Sequence, residues 1–125
     1  VQTTTQNRKR VLVVDDDLDT AHSTVRLVRL MGHEAEFAIN GIAALAVAQR
    51  FRPQVIVLDI GLPDSHGWEV ARQLRKDPQL NSARIIALTG RSQLDDASRS
   101  KAAGCDEHLR KPLDPQVLER ILEAG

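Results

Sequence analysis

Apolar residues recur along this chain in short runs separated by longer amphipathic stretches. Val11–Val14, Val55–Leu58 and Ile85–Leu88 are apolar without alternation. That is the pattern of strands buried on both faces of a sheet. Glu34–Ala38 alternates more, and the run at His108–Leu109 is short. Both read as strands nearer a sheet edge. The strands are predicted over about Arg10–Val14, Glu34–Ala38, Gln54–Leu58, Arg84–Thr89 and Glu107–Leu109. Between them, Val25, Val28 and Met31 stand at helical spacing in a first helix, about Leu18–Met31, which Gly32 stops. An Ala- and Leu-rich second helix, Gly41–Phe51, starts behind the N-cap Asn40. A third opens at Gly67 and runs to Lys76, where Asp77-Pro78 breaks it. A fourth covers about Gln93–Ala103 and ends at Gly104. A fifth, Pro115–Glu123, begins behind Asp114 with proline at its first position.

Strand and helix alternate five times. This predicts an α/β fold with a doubly wound, five-stranded parallel sheet of flavodoxin-like (βα)5 type. The common order for five units is 2-1-3-4-5, with the switch point between strands one and three. All strand C-termini then open on one edge, where such sheets bind ligands. The residues at those ends are Asp15-Asp16-Asp17, Asp59, Thr89 and Lys111-Pro112. Carboxylates, a hydroxyl and an ammonium converging on one pocket suit a divalent cation and a phosphoryl group.

Composition narrows the picture further. At 125 residues the chain is the size of one domain. Seventeen basic residues balance seventeen acidic ones, so no net charge draws the molecule to nucleic acid or anionic lipid. No apolar stretch approaches the ~20 residues of a membrane-spanning helix. Residues 1–9 are polar and read as a linker or disordered segment ahead of a domain at 10–125. The chain lacks an initiator Met, which suggests an excised domain or a trimmed start. Cys105 is the one cysteine, so no internal disulfide forms; a reducing, cytoplasmic setting is expected. Beside Gly104 it reads as a small packing residue, and Phe51 and Trp68 also read as packing residues.

Several rival chemistries fail on their residues. Asp15-x-Asp17-x-Asp19 resembles the start of an EF-hand loop, but the sixth position is Thr20 rather than Gly and the twelfth is Arg26 rather than Glu. A haloacid-dehalogenase phosphatase needs Thr or Val where this chain has Asp19 or, read from Asp17, Ala21. An FMN binder wants a hydroxyl- and Gly-rich phosphate loop and aromatics around the ring. Here three Asp follow strand one, and only 2% of residues are aromatic. No basic recognition helix supports direct contact with nucleic acid. Asp17 reads as a solvated residue or a first-turn helix charge.

The segments VLVVDDD, VLDIGLPDSHGWEV, IIALTG and GCDEHLRKPLD, in that order and spacing, resemble the response-regulator receiver domain of two-component signalling. The resemblance covers about Val11–Leu122. It implies that Asp59 is the phosphoacceptor, Asp15 and Asp16 the acidic pair, Thr89 the switch hydroxyl, and Lys111 the family's lysine. Gly90 and His108 would complete the phosphate-binding and switch region. The implied cofactor is Mg²⁺, or Mn²⁺. Asp16 and Asp59 would ligate it directly with the backbone carbonyl of Gly61, and Asp15 through a water. The implied partner is a histidine kinase or a histidine phosphotransfer domain, with no membrane contact by this domain. The output surface would be the fourth helix, fifth strand and fifth helix. The oligomeric state stays open between monomer and weak dimer. An isolated domain of this kind assists its own phosphorylation and dephosphorylation and is not otherwise an enzyme. The parent protein stands open.

Three positions depart from the family. Gly61 offers no side chain to hold an attacking water, Arg91 brings a cation near the pocket mouth, and His108 replaces the usual Tyr or Phe. The ALTG and GCDEHLRKPLD segments look most like the receivers of hybrid histidine kinases. A stand-alone regulator and a degenerate docking module are the alternatives. The family also implies a cis Lys111–Pro112 bond, against the base rate for X-Pro.

Overall fold

A computed structural model describes residues 8–62, 67–90 and 101–123. Five strands, β1 (Arg10–Val14), β2 (Glu34–Ala38), β3 (Val55–Asp59), β4 (Arg84–Thr89) and β5 (Glu107–Arg110), form one sheet in the order β2-β1-β3-β4-β5. All four pairings are parallel. The predicted order holds, and the two weakest strands take the edges. The helices are α1 (Leu18–Leu30), α2 (Gly41–Phe51), α3 (Gly67–Lys76) and a C-terminal α4 (Pro115–Glu123), the fifth of the sequence reading. Residues 101–103 are helical and close the predicted fourth helix at Gly104, whose φ is +100°. The rest of that helix, with Arg91, lies outside the described residues.

Strand side chains alternate between the two faces, and this explains the double winding. Leu12, Val14, Ile56, Leu58, Ile85 and Ala87 pack with Ala44 and Ala48 of α2 and Val70, Ala71 and Leu74 of α3. Val11, Val13, Val55, Val57, Ile86 and Leu88 pack with Val25 and Val28 of α1 and Leu118, Ile121 and Leu122 of α4. Each fully buried side chain of this size, such as Ile56, contributes about 1.5–3 kcal/mol relative to exposure. Trp68 lies in the first cluster, as expected of a packing residue, and Phe51 is half-buried.

The caps anchor the loops around the sheet. Asn40 Oδ1 accepts the Ala43 N–H at 2.7 Å, and Asp114 Oδ1 accepts the Gln116 N–H at 2.8 Å. Arg75, at the end of α3, donates to the carbonyls of Gly104, Asn81 and Ala83 at 2.8, 2.9 and 2.6 Å and pairs with Asp106 at 2.6 Å. Cys105 is buried beside this tie, and burial pushes its thiol up to about 11, which suits a packing residue. Contacts to the neighbouring strand begin upstream of β1. Lys9 is buried, its N–H donates to His33 Nδ1 at 3.0 Å, and its carbonyl accepts the Glu34 N–H. Among the described residues, no helix is long and apolar enough to cross a membrane.

Candidate functional site

The C-terminal ends of β1, β3, β4 and β5 meet at the predicted edge. β1 stops at Val14 because Asp15 turns away while its N–H still donates to the Ala38 carbonyl of β2, at 3.0 Å. Asp15 is buried, and its Oδ1 accepts the Asp17 N–H at 2.9 Å. Asp17 in turn caps α1, accepting from Asp19 N and Thr20 N. It is an exposed N-cap rather than a ligand, and the Asp-x-x-Thr spelling ahead of an amphipathic stretch was the available signal. Asp16 stands exposed between the two.

Asp59 is the last residue of β3 and is only 3% exposed. Its Oδ1 accepts the Gly61 N–H at 2.9 Å, and its Oδ2 lies 2.9 Å from Lys111 Nζ. The loop beyond it is held by a close approach at Gly67. A Cβ there would meet Ile60 Cα at 2.6 Å and the Asp59 carbonyl at 2.8 Å. Sequence reading took Gly67 only as a helix start and missed this steric role.

One oxygen each from Asp15, Asp16 and Asp59 lies within 4.8 Å of the others. Three hard carboxylate donors, two of them buried, face one ammonium. That donor set fits Mg²⁺ or Mn²⁺, which take oxygen ligands and keep several waters. The electrostatics agree. Burial pushes the Asp15 carboxyl above the usual carboxylate range; the Asp17 N–H opposes this, Asp59 and Asp16 add to it, and Lys111 subtracts. For Lys111, burial alone would lower the ammonium, yet the hydrogen bond and charge of Asp59, with Asp15 and Asp16, raise it above the ordinary lysine value. The site therefore keeps its lysine charged and opposes ionisation of Asp15.

Thr89 closes β4 with its side chain buried, and its Oγ1 lies 3.3 Å from His108 Nε2 of β5. Lys111, just beyond β5, anchors its N–H to the Thr89 carbonyl at 2.9 Å, and Lys111–Pro112 is cis as expected. Asp15, Asp16, Gly90 and Lys111 line one cavity of about 690 Å³, extended along α1 by Thr20 and Thr24. Asp59 and Thr89 end their strands beside this cavity, Gly61 N–H bonds to Asp59, and His108, second in β5, reaches Thr89 with its ring. The segment 63–66, between Asp59 and α3, lies outside the described residues.

The response regulator receiver domain family matches residues 11–123. Protein PilH of Pseudomonas aeruginosa is 30% identical over 115 residues, which is 92% of this chain and 95% of PilH. The transcriptional regulatory protein PrrA of Mycobacterium leprae is 44% identical over 103 residues, which is 82% of this chain and 43% of PrrA. The chain thus spans nearly all of one relative and less than half of the other. Among solved structures, the chemotaxis protein CheY4 of Vibrio cholerae is similar with a TM-score of 0.86 at 31% identity, covering 92% of this chain and 96% of that one. With the sheet order, the acidic cluster and the lysine in place, the chain belongs to the response regulator receiver domain family.

Proposed function

We propose that Asp59 accepts a phosphoryl group from a phosphohistidine of a histidine kinase or phosphotransfer domain. One observation carries the reading: Asp59 pairs with the Lys111 ammonium at 2.9 Å and has an oxygen within 4.8 Å of one from each of Asp15 and Asp16. A carboxylate oxygen of Asp59 attacks phosphorus, the P–N bond breaks, a P–O bond forms, and the departing imidazole nitrogen takes up a proton from water. Such transfer rests on positioning and charge neutralisation more than on acid–base chemistry. Mg²⁺ or Mn²⁺ held by Asp16, Asp59 and Asp15 would neutralise negative charge on the reacting oxygens. Lys111 Nζ, now on Asp59, would shift to a phosphoryl oxygen. Thr89 would leave His108 to donate its hydroxyl to the same group. The change would pass through β5 to the surface formed with α4 and the preceding helix.

In this reading the domain assists its own phosphorylation and dephosphorylation and otherwise catalyses nothing. It works in the cytoplasm. The ALTG and GCDEHLRKPLD segments favour a receiver within a hybrid histidine kinase, with a stand-alone regulator as the alternative setting. Acetyl phosphate with Mg²⁺ tests the core claim. Intact-mass measurement should show one added phosphoryl group, and Asp59→Asn should abolish it. Equal labelling of that variant would remove Asp59 as acceptor. No labelling of the parent chain, with no beryllofluoride response, would make the domain a docking module.

A further inference from the structure

The opposite edge of the sheet, where the strands begin, carries a second cavity of about 530 Å³. Its lining includes Lys9, Arg10, Arg52 and Arg84, together with Gln54 and Ser82, and among the described residues contains no carboxylate. Four cations around one concavity is a strong local excess in a chain whose net charge is zero. Residues 1–7, which precede Lys9, contain no Asp or Glu to offset it.

The cations are held in place. Arg10 Nε donates to the carbonyls of Phe51 and Arg52 at 3.1 and 2.9 Å, and its backbone N–H is fixed by Gln54 Oε1 at 3.1 Å. These bonds satisfy the end of α2 and leave the two terminal nitrogens of Arg10 without a partner among the described residues. Arg84 is positioned by Glu107 and the Ile121 carbonyl, so its charge is partly neutralised. Lys9 is nine-tenths buried, yet no carboxylate pairs with it among the described residues. Arg52 adds an independent sign. It caps α2 in the left-handed region, at φ 56°, where glycine is at ease and a side chain is not. Its Nε donates to the Gln49 carbonyl at 3.2 Å while the residue lines the cavity.

We propose that this cavity binds a small anion bearing a diphosphate group. Guanidinium forks match phosphate oxygens in pairs, and the volume exceeds what a single phosphate fills. No aromatic ring lines the cavity, so the recognised chemistry is the phosphate and not a stacked base. The site lies on the strand-start edge, separate from the Asp59 edge, and does not depend on the phosphoacceptor reading.

The test is an amide NMR titration of the whole chain with inorganic pyrophosphate, without Mg²⁺ and at constant ionic strength. Saturable shifts are expected at Lys9, Arg52 and Gln54. Arg52→Gly should weaken binding by about tenfold, the scale of one lost charge-assisted contact, while raising the urea midpoint by relieving the left-handed residue. That gain excludes misfolding as the cause of lost binding. ADP in place of pyrophosphate separates the sources. Equal affinity assigns the diphosphate as the whole determinant, and tighter ADP binding assigns a nucleotide. The proposal is overturned if shifts do not saturate, if they fall only around Asp59 and Lys111, if Arg52→Gly binds like the parent chain, or if citrate binds as well as pyrophosphate.

Discussion

Replacing Lys111 with Met removes the one ammonium facing three carboxylates and retains most of its length. The Asp59 side chain is 5% exposed and that of Lys111 is 39% exposed, with 2.9 Å between Oδ2 and Nζ. Breaking a fully buried pair costs about 3–5 kcal/mol, whereas an exposed pair is worth about 0–1 kcal/mol. With one partner buried and the other more than a third in solvent, a loss of about 1–2 kcal/mol is expected. The Lys111 ammonium is raised by its partners, so its contribution is complete below the ordinary lysine value and fades only as pH rises through the higher folded value. At neutral pH the full loss is therefore read. Urea unfolding without divalent cation measures it. Repeating the measurement with saturating Mg²⁺ should shrink the difference, because the metal replaces part of the missing positive charge. Phosphorylation should fall in both conditions. One charge-assisted contact of about 1.5–3 kcal/mol at the transferring group corresponds to about 10–150-fold in rate. A variant as stable as the parent in metal-free buffer, labelled by acetyl phosphate at the parent rate, would refute the role given to Lys111.

Three further substitutions probe neighbouring parts of the site. Asp15→Asn keeps an oxygen for the Asp17 N–H and removes a carboxylate whose titration is raised in the fold; since that cost is absent below the ordinary Asp value and grows as pH rises through the raised one, the variant should exceed the parent in metal-free urea midpoint at pH 7 and lose that advantage in acid. Gly61→Asn fits, because a Cβ there meets only Asp59 Oδ1 at an ordinary 3.7 Å, and it should speed decay of the phosphorylated form by orienting water; an unchanged decay rate would remove that argument. Gly67→Ala forces a methyl against the backbone of Ile60 and Asp59, so denaturation should show a loss of about 1–3 kcal/mol together with slower labelling of Asp59.

Sheet order, strand ends and the meeting of Asp15, Asp16, Asp59, Thr89 and Lys111 were legible because strand burial and βα alternation leave few topologies. The shared edge follows from parallel strands alone. Local chemistry that needs two distant backbones was not legible. Gly67 looks like any helix-opening glycine until the chain is folded against Ile60. Arg75 reads as a surface residue of α3, because nothing near it in sequence announces the carbonyls of Gly104, Asn81 and Ala83. The polar start of the chain likewise hid Lys9, whose burial depends on His33 across the β1–β2 edge. The contact of Thr89 with His108 was half legible: their positions followed from the family pattern, while the hydrogen-bond distance required the register of β4 with β5.

Arg75 also fixes the edge strand that leads to Lys111. Through Asp106, which both donates its N–H to the Ile85 carbonyl and accepts the Ile85 N–H, it clamps the starting end of β5 to β4 and α3. His108, the second residue of the strand, reaches Thr89 with its ring, and the far end leads to Lys111, which pairs with Asp59. β5 is therefore pinned to β4 at both ends, by Asp106 on Ile85 and by the Lys111 N–H on the Thr89 carbonyl. An edge strand fixed in this way holds the Lys111 ammonium at the reach its pair with Asp59 requires.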